Sequence, residues 1–225
     1  MDKRALRAAL SVYFVIGSAH CGGRPLLEVV EAALRGGVTM VQFREKDSSL
    51  PLRETVALGR AVRQRCRQCG VPFIVNDRVD LALLLDADGV HVGQDDLPPS
   101  EARKLLGPGR IVGMSVGTPE ELDVALREGP DYLGVGPVYK TVSKADAGEA
   151  MGTEFVAYVR SRTDLPLVGI GGITPENAAP VIAAGADGVA VVSAIGGASD
   201  PEAAAQALVR EVNAQKAACG REDAS

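Results

Sequence analysis

Short apolar runs recur along the whole of this 225-residue chain, and each leads into an amphipathic stretch of helical period. The runs are Val12–Ile16, Val38–Phe43, Phe73–Val75, Gly89–Val92, Ile111–Met114, Tyr132–Val135, Leu167–Ile170 and Gly188–Val192. Leu26–Leu34, Leu52–Arg65, Pro119–Arg127 and Pro175–Ala184 are among the amphipathic segments between them. Ser100-Glu101, Thr118-Pro119-Glu120 and Thr174-Pro175-Glu176 read as helix starts, since Pro suits the first turn. Gly36-Gly37 and Gly185-Ala186 fit helix C-caps that lead into the next strand. Val- and Ile-rich strands alternating with helices imply parallel pairing with both sheet faces covered. Eight such units predict an α/β fold, a closed (β/α)8 TIM barrel forming a single domain over 1–225. The alternative is an open doubly wound sheet, which needs a switch point that the even repeats do not suggest. No linker or low-complexity run interrupts the pattern, and the tail beyond about Lys216 is expected to fray.

Composition removes several function classes. Net charge is −5, aromatics are 4% and Trp is absent, so the chain lacks the basic stripe and stacking rings of a nucleic-acid surface. Any phosphate site must be a local pocket in an acidic molecule. Lys3, Arg4 and Arg7 before the apolar run Ala8–Ala19 mimic a short signal peptide, but His20 and Cys21 stand where cleavage would fall. The first strand is the preferred reading of Ser11–Ile16, and no other stretch is long enough to span a bilayer. Cys66 and Cys69 form a C-x-x-C in an Arg-rich helical segment with no second pair to complete a zinc site. Reduced thiols in a cytoplasmic protein are the expectation, and the oligomeric state is left open.

Chemistry in such a barrel gathers at the C-terminal strand ends. Gln42, Arg44 and Lys46 close the second strand on one face, with Phe43 and Glu45 pointing the other way. An amide, a guanidinium and an ammonium placed together grip an anion; stability alone does not call for them. The third strand ends in Asn76-Asp77-Arg78, the fourth in His91-Val92-Gly93-Gln94-Asp95-Asp96, and the fifth in Gly113-Met114-Ser115. The sixth runs into Gly136–Lys144. Gly171-Gly172 after the seventh and Val192-Ser193 after the eighth occupy the usual phosphate position, where bare backbone N–H groups approach phosphate oxygens.

Strand parity with Val90, Val92 and Gln94 is expected to turn Asp96 to the barrel mouth and His91 toward the helices. Asp77 and Asp96 beside a polyphosphate would repel it unless a divalent cation lies between them, and Mg²⁺ takes one or two carboxylates plus phosphate oxygens. Arg44, Lys46 and Lys144 would neutralise the remaining charge.

Taken in order, these motifs resemble those of the thiamine phosphate synthase family. They are Gln42-Phe43-Arg44-Glu45-Lys46, Asn76-Asp77, His91–Asp96, Gly136–Tyr139 with Thr141–Lys144, Gly169–Ile173 and Val191–Ile195. The resemblance implies joining hydroxymethylpyrimidine diphosphate to a thiazole phosphate, with release of diphosphate and formation of thiamine phosphate. It assigns the pyrimidine diphosphate to Gln42, Phe43, Arg44, Glu45, Lys46, Asn76, Ser115 and Lys144, of which Arg44, Lys46, Lys144 and Ser115 are catalytic. It assigns Mg²⁺ to Asp77 and Asp96, and the thiazole phosphate to Thr141, Val142, Ser143, Gly172, Val192 and Ser193. The family mechanism is dissociative and needs no general base. Ser143 stands where Thr is more usual, and Ala145–Ala150 is an insert of uncertain closure.

Two rivals share the barrel. A thiazole tautomerase relative would place a His just past the fifth-strand serine, where this chain has Gly117 and Thr118. A non-catalytic phosphate-ligand sensor would not need Arg44, Lys46, Asp77, Asp96 and Lys144 together.

Overall fold

The structure is a computed structural model and describes residues 1–46, 48–141 and 148–220. Its strands are β1 (Val12–Ile16), β2 (Met40–Phe43), β3 (Phe73–Asn76), β4 (Gly89–Val92), β5 (Ile111–Val116), β6 (Tyr132–Val135), β7 (Leu167–Ile170) and β8 (Gly188–Val191). Each pairs in parallel with its chain neighbours, and β8 returns to β1, which closes the barrel and removes every sheet edge. The helices are α1 (Lys3–Ala9), α2 (Leu26–Arg35), α3 (Leu52–Gln68), α4 (Val79–Leu84), α5 (Pro99–Leu106), α6 (Pro119–Glu128), α7 (Gly152–Arg162), α8 (Ala178–Ala183), α9 (Ser193–Gly196) and α10 (Pro201–Ala218). Among the described residues no helix is long and apolar enough to cross a membrane.

Alternation along each strand splits the core in two. Val12, Phe14, Val41, Phe43, Val75, Val90, Val92 and Val135 face the helices and pack with them. Tyr13, Val15, Met40, Ile74, Ile111, Tyr132, Val168 and Ala190 fill the barrel itself. Inward glycines make room for the large rings. A Cβ on Gly113 would lie 2.2 Å from Tyr132 Cζ, and one on Gly134 would lie 3.0 Å from His91 Cε1.

The sequence pattern does not predict α1. Asp2 caps this helix by accepting from Ala5 N at 2.8 Å, and Leu6, Ala9 and Leu10 plug the barrel floor. The floor is also stapled four times in one way. Thr39, Asp88, Asp131 and Asp187 each stand just before an even-numbered strand and accept the N–H of a residue opening the preceding odd one. The donors are Val12 at 2.8 Å, Phe73 at 2.8 Å, Val112 at 2.7 Å and Leu167 at 2.9 Å. Arg63, Arg103 and Arg160, from the helix before each odd strand, pair with the three aspartates. At the other terminus α10 continues past Lys216, whose buried ammonium donates to Ser11 Oγ. The rest of the tail expected to fray, 221–225, lies outside the described residues.

Candidate active site

A cavity of about 730 Å³ opens at the C-terminal mouth of the barrel. Gln42, Arg44, Lys46, Asn76, Asp77, Asp96, Ser115, Thr141, Gly172, Val192 and Ser193 all line it, so the strands bring most of the expected site residues together. Two of them stand aside. The Phe43 ring is buried among the helix-facing core, and Glu45 accepts from Ser18 N at 2.7 Å and Ser18 Oγ at 2.8 Å. Neither side chain lines the cavity. Val142, Ser143 and Lys144 lie outside the described residues.

On the β2–β4 side, cations and carboxylates interlock. Arg44 continues the β1 ladder by donating its N–H to Ile16 O at 2.8 Å, and the residue is only 7% exposed. Lys46 Nζ donates to Asp77 Oδ2 at 3.0 Å. Asp77 has φ 59°, a left-handed conformation unusual for a residue with a Cβ, and its N–H is held by His91 O at 2.8 Å. Asp96 Oδ2 accepts from Gly93 N at 2.8 Å. Burial pushes the Asp96 carboxyl above its ordinary range, and the adjacent Asp77 carboxylate adds to the effect. Two neighbouring carboxylates at one mouth form a hard-oxygen donor set that could hold a divalent cation. Among the described residues no group of three or more His, Cys, Asp or Glu could hold a metal ion.

The expectation for His91 was wrong, and so was the parity argument for Asp96. Val90 and Val92 face the helices, whereas His91 lines the cavity. Asp96 reaches the mouth because the chain leaves β4 at Gly93 and turns, not because it continues the strand's alternation. His91 belongs to a hydrogen-bonded chain that crosses the barrel. Gln42 Nε2 donates to Tyr13 OH at 2.8 Å, Tyr13 OH meets Tyr132 OH at 2.8 Å, and Tyr132 OH meets His91 Nδ1 at 2.9 Å. His91 Nε2 then meets Ser115 Oγ at 2.9 Å. Burial drives both phenols upward, so each keeps its proton. Gln94 fixes the serine's backbone by donating from Nε2 to Ser115 O at 2.7 Å. The signal for this chain in the sequence is Gly113 and Gly134, inward positions without side chains that must house something large.

Across the mouth the β7 and β8 ends offer backbone. Gly171 and Gly172 have φ 103° and 64°, and a Cβ on Gly172 would lie 2.5 Å from Lys140 O. Only glycine fits there. Asn177 Nδ2 donates to Gly172 O at 3.0 Å, which fixes the turn, and α9 begins at Ser193 beside it.

A family model described as thiamine monophosphate synthase matches residues 12–195. The thiamine-phosphate synthase of Moorella thermoacetica is 56% identical over 201 residues, covering 89% of this chain and 94% of the relative. That of Roseiflexus castenholzii is 51% identical over 205 residues, covering 91% and 89%. Among solved structures, the thiamine phosphate pyrophosphorylase from Pyrococcus furiosus superposes with TM-score 0.85 at 38% identity, covering 93% of this chain and 98% of its own. The motifs at the strand ends, the closed barrel and these matches over nearly the whole length agree, and the chain belongs to the thiamine monophosphate synthase family.

Proposed function

We propose that this chain is a thiamine-phosphate synthase acting on hydroxymethylpyrimidine diphosphate and a thiazole phosphate. One observation carries the reading at the level of the site: a clamp of cations and carboxylates and a glycine-backed cup stand on opposite sides of one mouth. The clamp suits a diphosphate, and the cup suits a monophosphate. In the reaction the bond from the pyrimidine methylene carbon to diphosphate oxygen breaks, and its electron pair leaves with diphosphate. The thiazole nitrogen lone pair then forms the new C–N bond.

Arg44 and Lys46 act on the departing charge, with Lys144 as a third cation in the same role. Positive groups fixed in place lower the barrier to charge separation because they need no reorganisation when the bond breaks. Asp77 and Asp96 would hold Mg²⁺, which supplies Lewis-acid neutralisation of the diphosphate. Gln42, Asn76 and Ser115 orient the pyrimidine. Thr141, Val142, Ser143, Gly172, Val192 and Ser193 bind the thiazole phosphate, largely through backbone N–H groups. No base is required, and inward-facing His91 does not revive the tautomerase reading, because both its ring nitrogens are engaged by protein hydroxyls.

Diphosphate release on adding both substrates with Mg²⁺ tests this directly. Release that needs both organic substrates and stops in EDTA is the expected result. Tight binding of both with no turnover sinks the synthase reading and favours a sensor.

A further inference from the structure

We propose that Tyr13, Tyr132 and His91 are positioning residues that lock Ser115 as a hydrogen-bond donor toward the pyrimidine ring. The inference rests on the synthase reading for the identity of that ring, but the lock itself is a property of the protein alone.

Proton counting sets the direction of the chain. Gln42 Nε2 carries hydrogens only and donates to Tyr13 OH. Tyr13 is fully buried, so its own proton needs an acceptor, and Tyr132 OH at 2.8 Å provides it. The Tyr132 proton, equally buried, then goes to His91 Nδ1 at 2.9 Å. A nitrogen that accepts carries no hydrogen, so the ring hydrogen of His91 sits on Nε2 and is donated to Ser115 Oγ at 2.9 Å. With its oxygen receiving that bond, the Ser115 hydroxyl can turn its hydrogen into the cavity, where a pyrimidine ring nitrogen is an acceptor. Reversing the Gln42 amide would reverse every link and make Ser115 an acceptor instead. The amide on β2 therefore sets what the hydroxyl on β5 presents, on the far side of the barrel. Gly113 and Gly134 make room for this path, since a side chain at Gly113 would strike Tyr132 and one at Gly134 would crowd His91.

The tautomer can be read without substrate. The chain has two histidines, His20 and His91, and a His20→Gln variant assigns their long-range ¹H–¹⁵N signals at neutral pH. The expected pattern for His91 is a hydrogen on Nε2 and none on Nδ1. Tyr132→Phe should replace that pattern with a mixture of tautomers, because Nδ1 loses its donor. The same variant should lower kcat/KM for the pyrimidine diphosphate about 5- to 10-fold, the worth of one neutral hydrogen bond. KM for the thiazole phosphate should stay within about twofold. His91→Gln keeps an N–H near Ser115 and should retain activity that His91→Leu loses.

An Nδ1-protonated His91 in the unsubstituted chain overturns the proposal, and it does so even if Tyr132→Phe fails to fold. So does a Tyr132→Phe protein with unchanged tautomer and kinetics, or one that loses affinity equally for both substrates. Absence of diphosphate release by the unsubstituted chain would count against the synthase reading alone, because the tautomer is measured separately.

Discussion

Asp96 shows how a binding group can cost the empty protein stability. Its carboxyl is held above its ordinary value of 3.8 by burial first and by Asp77 next, while the Gly93 N–H pulls the other way. The sign follows from linkage. When folding raises the pKa of an acid, the penalty is absent below the unfolded value, grows as pH rises through it, and is complete above the folded value. Above the raised folded value the metal-free protein therefore carries the penalty in full. Asp96→Asn keeps an oxygen for Gly93 N–H and removes the charge. It should raise the Tm of the protein in EDTA at pH 7 by a small amount, at most about 2 °C, because Asp96 is only partly buried and solvent screens its charge. The gain should shrink as pH falls toward 4. The same variant should cut diphosphate release more than about 10-fold, with partial recovery in excess Mg²⁺. An unchanged Tm at pH 7 would show that burial and Asp77 do not penalise the Asp96 carboxylate.

Among the elements, strands and the longer helices were both legible: Leu26–Leu34 and Pro119–Arg127 each fall one residue short of α2 and α6. Val12–Ile16, Gly89–Val92, Tyr132–Val135 and Leu167–Ile170 agree with the sequence reading residue for residue, because the helix-facing side of a buried parallel strand is apolar throughout and marks its length. α1 was hidden because its apolar face, Leu6 and Ala9, runs directly into the β1 run and the two periods merge. The facing of His91 failed for a different reason. The upper half of this barrel's interior carries Gln42, His91 and Ser115, so on β4 it is Val90 and Val92 that mark the helix side. The glycine-backed cup was legible because Gly171-Gly172 and Val192-Ser193 stand at fixed strand ends. Its role is open to a single substitution. Ser193 opens α9, where a phosphate is proposed to meet backbone N–H groups, and Ser193→Asp places a negative charge at that point. KM for the thiazole phosphate should rise about 10-fold or more through repulsion, with the pyrimidine diphosphate barely affected. If only the pyrimidine diphosphate suffers, the two half-sites have been assigned the wrong way round.

At the scale of the whole molecule, stability and chemistry sit at opposite ends of the same strands. The mouth collects charge and a left-handed aspartate, both of which cost free energy in the empty protein, beside glycines that take positive φ without strain. The floor collects the plug of Leu6, Ala9 and Leu10 and the four staples that tie each odd strand to its even successor. Asp187 is the most heavily tied of the four. It is buried, accepts from Leu167 N at 2.9 Å, and pairs with Arg7 at 2.5 Å and Arg160 at 3.6 Å. Asp187→Ala leaves a strand N–H and two guanidinium groups without that partner, beneath a strand that carries half of the glycine-backed cup at its other end. The cost should be about 2–3 kcal/mol, somewhat below a fully buried pair because Arg7 keeps partial contact with water. In a chain of this length that lowers Tm by about 4–12 °C. Below the new transition, kcat/KM for both substrates should remain within about twofold, since floor residues of such barrels hold the fold and do not touch the ligand. A large kinetic loss in a sample shown by melting to be fully folded would mean that β7 transmits the floor's geometry to Gly171 and Gly172, and that the two ends of the barrel are not energetically separate.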